Sequence, residues 1–334
     1  NIAFCSTYRT EAGGQAYSVF ETDQHYTAES FLSKVRSLDL VDYASFIEVP
    51  GAESFQHSQE SNPYLFANGN ELLSLCQEYN LNIGSVMMRR EQILTNETFC
   101  SEHMRSVIQT MKEETTEPID WPQASLGGFI GGEAQRIKVN QAQYAEGLMG
   151  ASQTNAVARA MAVLERSASM GVIVAAPTAG SAGVVPGCIL SVADHISATE
   201  NELHEALFCA SAIGYLLSTN ACVAGAEGGC QAEVGSAAAM AAAALVQMLG
   251  GTPKQCLDAA SIALSNLLGL VCDPVGGLVE VPCQNRNAIG VAAAFSSAQL
   301  ALSGIPSLVP FDEMARVMLE VGHALPSTLR ETAL

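Results

Sequence analysis

Basic side chains are few in this sequence: 15 Lys and Arg stand against 34 Asp and Glu, a formal charge of −19. A field of that sign repels phosphate backbones and anionic lipid, which argues against nucleic acid and membrane surfaces as partners. Aromatic residues make up only 6% of the chain, with a single Trp, so the core has to be packed from small aliphatic side chains. Charge of either sign is sparse at 15%, yet 49% of residues are apolar, a composition that excludes a disordered chain. Ten cysteines in 334 residues are too thinly spread for a disulfide scaffold. No charged-then-apolar leader with a cleavage site opens the sequence either, and the expected setting is a reducing cytoplasm in which thiols stay available to metal.

Charge is missing altogether from residues 167–193, 206–226, 234–253 and 288–311, each of which reaches the roughly 20 residues of a membrane span. The first stretch is broken by Pro177, Pro186 and several glycines. The others are rich in Ala, Ser, Asn and Gln where a lipid-facing helix carries Leu, Ile and Phe, and no aromatic belt or Lys/Arg cluster flanks them. They read as a buried helical core. The length suggests two unequal domains. The sequence opens at Asn1 and stops at Leu334 within what reads as a motif, so it is expected to be a piece of a longer protein.

The predicted architecture is mainly α: an all-α catalytic domain over residues 64–334, a linker over 51–63, and a small α+β segment over 1–50. In that segment residues 2–8 and 16–21 read as strands joined through Glu11-Ala12-Gly13-Gly14, residues 27–38 as a helix and residues 43–49 as a further strand. The linker mixes Gly, Ser, Gln, Asn and Pro without periodicity. Beyond it, helices are predicted over 70–78 with Asn70 as cap, and over 97–113 with Met104, Val107, Ile108 and Met111 on one face. Alanine-rich helices follow over 142–150, 155–170, 200–217, 236–249, 253–268 and 288–302.

Glycine, proline and polar or sulfur atoms concentrate in three segments: Pro177-Thr178-Ala179-Gly180-Ser181-Ala182-Gly183, Gly228-Gly229-Cys230-Gln231-Ala232-Glu233-Val234-Gly235, and the run from Cys272-Asp273-Pro274 to Val281-Pro282-Cys283. Absent Cβ atoms let backbone and ligand approach closely. Scattered cysteines are ordinarily buried small hydrophobes, and Cys188, Cys209 and Cys256, which sit within apolar helical patterns, fit that description. Cys230, Cys272 and Cys283 differ in lying in Gly/Pro loops, and soft thiolate ligands suit zinc or an iron–sulfur cluster. A structural zinc site would want a fourth ligand at short Cys-x-x-Cys or His spacing, and none is visible.

Residues 70–331 resemble the α subunit, or catalytic domain, of the iron–sulfur-dependent L-serine dehydratases. The resemblance runs through Gly131-Gly132-Glu133, the 177–183 loop, residues 228–236 and 270–287, and Leu329-Arg330-Glu331-Thr332. The first fifty residues resemble, over a shorter stretch, the later part of an ACT regulatory domain. The longer resemblance implies a lyase that deaminates L-serine to pyruvate and ammonia, with a 4Fe-4S cluster on Cys230, Cys272 and Cys283 and one iron left without a protein ligand. Such an iron can stabilise charge on a departing hydroxyl. Pyridoxal phosphate is not implied, since Lys112, Lys138 and Lys254 lie in helical rather than loop settings.

Thr178, Gly180 and Ser181 near a helix start are candidates for binding the substrate carboxylate, and Asn220 and Asn287 for further substrate contacts. Arg286 could pair with a carboxylate, and Cys222 is a rival thiol outside the matching motif. His195, His204 and His323 read as structural, which leaves the catalytic base outside this chain. A homodimer, or a complex with a separate β chain or domain, follows as the expected assembly. The competing readings are an iron–sulfur L-cysteine desulfidase and a non-catalytic amino-acid-binding subunit.

Overall fold

A computed structural model of the chain describes residues 2–9, 16–22, 28–36, 41, 43–45, 62–143 and 148–330. The chain divides into two compact units, Asn1–Gln56 and His57–Leu334. In the first, strands β1 (Ile2–Arg9) and β2 (Ala16–Thr22) pair antiparallel with Tyr8 opposite Tyr17. Helix α1 (Ala28–Arg36) follows, and Arg36 donates to the Ala44 carbonyl at 2.9 Å. Residues 43–45 are not in a strand, which departs from the expected element over 43–49. The rest of that element lies outside the described residues, as do the Gly13-Gly14 turn and nearly all of the linker.

The second unit is built of helices, and their ends follow local chemistry. Helix α2 (Gly69–Tyr79) is capped by Asn68, whose side chain accepts from the Glu71 amide at 2.9 Å. Asn70, the expected cap, instead stands in the first turn and gives its own amide to Asp312. Asn82 caps α3 (Ile83–Leu94) and Asn96 caps α4 (Glu97–Asp120) in the same way. Helix α4 runs past its expected end at 113 because the buried stripe of Met104, Ile108 and Met111 continues through Thr115 and Pro118. The Thr115 hydroxyl bonds back to the Met111 carbonyl, so this polar residue can lie on a buried face.

Helices α5 (Glu133–Gln143) and α6 (Ala151–Ala168) come next. Part of the expected 142–150 helix lies outside the described residues, and Leu148 and Met149 form a turn. Then follow α7 (Val184–Ile196), α8 (Glu200–Asn220), the single turn α9 (Gly225–Gly228), a π-helical turn Gln231–Gly235, α10 (Ser236–Met248), α11 (Pro253–Ser265), α12 (Cys283–Leu302) and α13 (Phe311–Ala324). Reciprocal capping boxes, Thr199 with Glu202 and Thr252 with Gln255, start α8 and α11.

Helix α10 is the centre of this unit. Its sequence SAAAMAAAALVQM is buried on every side from Ser236 to Val246, as a helix that is apolar all round must be. It packs against α7, α8, α11 and α12, and its methyl side chains let those neighbours come close. The stretch Ala179–Ile196 is long and apolar enough to cross a membrane by length and composition, but 72% of it is buried inside the fold.

Candidate active site

Three segments that lie far apart in sequence meet where helices begin: the 177–183 loop leads into α7, the π-helical turn leads into α10, and the 272–282 loop leads into α12. Helix N-termini favour negative charge, and π-turns recur at functional sites. The π-turn is held by Gln231, which is buried and donates to the Met318 carbonyl at 2.8 Å while accepting the Gly269 amide at 2.8 Å. Just before it, Gly229 has φ +75°, and a Cβ there would come within 2.8 Å of the Leu270 carbonyl oxygen. Only glycine suits this crossing, which delivers Cys230 to the head of the turn.

Cys272 is pinned through its backbone: its amide donates to the Leu329 carbonyl at 2.9 Å, and it forms an isolated parallel bridge with Arg330. Cys283 is the first residue of α12. One turn later Arg286 ion-pairs with Asp273 at 2.6 Å, donates to the Val271 carbonyl at 2.9 Å and hydrogen-bonds Cys230. Asn287 is fully buried. Its Nδ2 donates to the carbonyls of Gly180 at 2.8 Å and Cys283 at 2.9 Å, and its Oδ1 accepts the Gly183 amide at 3.0 Å. Both of its N–H groups are thus committed within the chain, and it braces the 177–183 loop against the start of α12.

Glu233, which sequence reasoning did not single out, stands at the middle of this arrangement. Thr178 Oγ1 donates to Glu233 Oε1 at 2.7 Å, and the Cys272 thiol lies 3.9 Å from Oε2. Cys230 and Cys283 feel its charge as well. A Cβ on Gly225 would stand 2.5 Å from Glu233 Oε2 and 3.1 Å from Cys272 Sγ, and one on Gly180 would stand 3.3 Å from Oε1. Ser181 is enclosed, with its hydroxyl 3.2 Å from that of Thr178. The available signal was that Glu233 is the one carboxylate within an otherwise uncharged Gly/Cys segment.

Cys230, Cys272 and Cys283 are buried thiols that form no disulfide. Burial pushes Cys230 up to about 12, with Arg286 lowering it and Glu233 raising it, and pushes Cys283 up to about 11 with Glu233 adding to the rise. Among the described residues no three His, Cys, Asp or Glu side chains converge tightly enough to hold a single metal ion. Cys222 is buried nearby and donates to the Ala224 carbonyl at 3.5 Å; burial pushes it up to about 11 and Glu233 again adds to the rise. Cys188, Cys209 and Cys256 are core residues. Asn220 gives its side-chain amide to the Ala67 carbonyl at 2.7 Å at the far end of α8. His204 lies beside Glu200, and His323 is 3.5 Å from Glu227.

Two buried carboxylates, Glu280 and Glu165, hold the surrounding loops. Glu280 accepts from the Ser125 hydroxyl at 2.6 Å and the amides of Gly127 and Phe129. Burial alone would raise its pKa, but these donors outweigh burial and hold it below the usual range. Glu165 accepts the amides of Gly132 and Ala134 and the Gln284 side chain, so the Gly131-Gly132-Glu133 motif is tied to α6 and α12.

The family described as serine dehydratase alpha chain matches residues 78–334. The chain is 42% identical over 273 residues to a probable L-serine dehydratase, alpha chain, of Bacillus subtilis, covering 80% of this chain and 89% of that one. It is 42% identical over 266 residues to the L-serine dehydratase, alpha chain, of Peptoniphilus asaccharolyticus, covering 79% and 91%. To L-serine dehydratase 2 of Escherichia coli it is 35% identical over 284 residues, covering 81% of this chain and 61% of that longer one. The matched region contains all three loop thiols, their common neighbour Glu233, Arg286 beside Cys230 and Cys283, and the loop that Asn287 braces, and the chain belongs to the serine dehydratase alpha chain family.

Proposed function

We propose that this chain is the catalytic α chain of an L-serine dehydratase, a lyase that converts L-serine to pyruvate and ammonia with a 4Fe-4S cluster held by Cys230, Cys272 and Cys283. The observation that carries the reading is that these thiols, drawn from two segments far apart in sequence, share Glu233 as a neighbour beside the 177–183 loop, with Arg286 next to Cys230 and Cys283. Relatives named as L-serine dehydratase alpha chains, covered over 89% and 91% of their length, support the substrate and the reaction.

The residues fit a cluster. The donors are all sulfur, the softest ligand the chain can offer. The side-chain-free wall at Gly225 lies against Cys272 Sγ. When bound through three cysteines, such a cluster supplies a Lewis acid at its remaining iron for charge developing on the departing hydroxyl oxygen.

The chain's own part is to hold and orient. Cys230 and Cys283 are protonated without metal, so each gives up a proton on ligation, and Arg286, fixed by Asp273 and the Val271 carbonyl, offsets the negative charge so formed. Asn287 holds the 177–183 loop in register with Cys283. Thr178 and Gly180, half-buried where α7 begins, form the wall against which the substrate carboxylate is placed. Loss of the α-proton and the hydroxyl leaves an enamine, which hydrolyses to pyruvate and ammonia. The base for the α-proton is assigned to a partner β chain, in keeping with the alpha-chain names of the relatives.

Anaerobic reconstitution tests the reading. The chain is expected to take up about four irons, as a 4Fe-4S cluster requires. Cys230→Ala, Cys272→Ala and Cys283→Ala each lower that content, and Cys188→Ala retains it. Wild-type iron in all three loop variants would sink the proposal. With a partner chain present, pyruvate and ammonia from L-serine, measured against sulfide from L-cysteine, identify the substrate.

A further inference from the structure

An α-amino acid brings a carboxylate, an ammonium and a side-chain hydroxyl, and the first two share one carbon. A group that takes the ammonium must therefore adjoin both the carboxylate wall and the thiols. Among the carboxylates nearby, Asp273 ion-pairs with Arg286 at 2.6 Å, Glu280 accepts the Ser125 hydroxyl and two loop amides, and Glu227 lies exposed against His323. Glu233 has the required position. One of its oxygens is bonded to Thr178 of the loop at 2.7 Å and the other lies 3.9 Å from the Cys272 sulfur. The glycines at 180 and 225 keep Cβ atoms away from both oxygens. Glu233 is also partly buried, where opposite charges attract more strongly than in open water.

We propose that Glu233 receives the substrate ammonium and so selects α-amino acids over acids that lack the amino group. This deepens the dehydratase reading and rests on it.

Two ligands that do not turn over test the point on the anaerobically reconstituted full chain: L-alanine, and propanoate, which is the same molecule without its amino group. By calorimetry the wild type is expected to bind L-alanine at least ~10-fold more tightly, the scale of a charge-assisted hydrogen bond. Glu233→Gln weakens L-alanine by about 10- to 100-fold on the same scale, leaves propanoate unchanged and keeps its iron, and Glu233→Asp restores part of the preference. Equal affinities in the wild type overturn the proposal, and that measurement stands even if the Gln variant loses iron. Parallel weakening of both ligands in an iron-replete Gln variant overturns it too, since Glu233 then only shapes the site. A wild type that holds its iron and, with its partner chain added, turns over L-serine yet shows no preference fails this inference alone. One that holds no iron and, even with the partner chain, turns over nothing fails the dehydratase reading along with it.

Discussion

At the scale of single residues, the most consequential ionisable group outside the site is Glu114 on α4. It is fully buried, one oxygen accepts the Val174 amide at 2.7 Å, and the other has no hydrogen-bond partner among the described residues. Burial pushes its pKa from 4.5 up to about 8, against the lowering effect of the Val174 amide and Arg166. Between those values the folded state holds a proton that the unfolded chain has released, so stability is fully present below about pH 4.5 and falls as pH rises towards 8. Glu114→Gln keeps the acceptor and removes the titration. Denaturant unfolding on the acid and alkaline sides of this window should show the wild type losing a few kcal/mol across it, with the variant nearly flat. Loss of equal size in both would place the effect elsewhere. Legibility at this scale was uneven. Cys230, Cys272 and Cys283 stood out because glycine and proline surround them. Glu233 did not, because its chemistry depends on Thr178, a residue brought to it only by the fold.

At the scale of elements, apolar periodicity was enough to find five of the six expected alanine-rich helices, the exception being that over 142–150, where Leu148 and Met149 form a turn, and it failed where burial passes through polar residues. The extension of α4 through Thr115 and Pro118 and the cap at Asn68 rather than Asn70 are such cases. So is α3, where Arg90 is buried against the Tyr215 ring, 4.2 Å from its centroid; a charged residue on the inner face breaks the pattern that a helix prediction counts. Helix α10 presents the opposite situation, with no polar interruption and no spare room. Ala242 is completely enclosed, so Ala242→Leu must displace a neighbouring helix. Unfolding in denaturant should show a loss of about 1–3 kcal/mol or more, the usual cost of overpacking. A stability equal to wild type would mean that the packing around α10 is looser than its burial indicates.

At the scale of the whole molecule, the mainly α class was legible from the absence of alternating strand patterns beyond the first fifty residues. The convergence of three loops at one end of the helical unit was not, because local sequence carries no record of which helix starts will meet. The charge of −19 acts at this scale as well. Self-repulsion destabilises the compact state, and raising salt from about 0.01 to about 1 M shrinks its range from roughly 30 to 3 Å. The melting temperature should therefore climb with sodium chloride; a fall would show that local ion pairs outweigh the net repulsion. The alanine composition of α10 has a mechanical corollary. A methyl group has no rotamers, so along its alanine positions this helix has fewer side-chain torsions with which to absorb a push than a leucine-lined rod would. Such accommodation falls to the longer side chains at Met240, Leu245 and Val246, while the end that leads from the π-turn after Cys230 begins with Ser236 and three alanines.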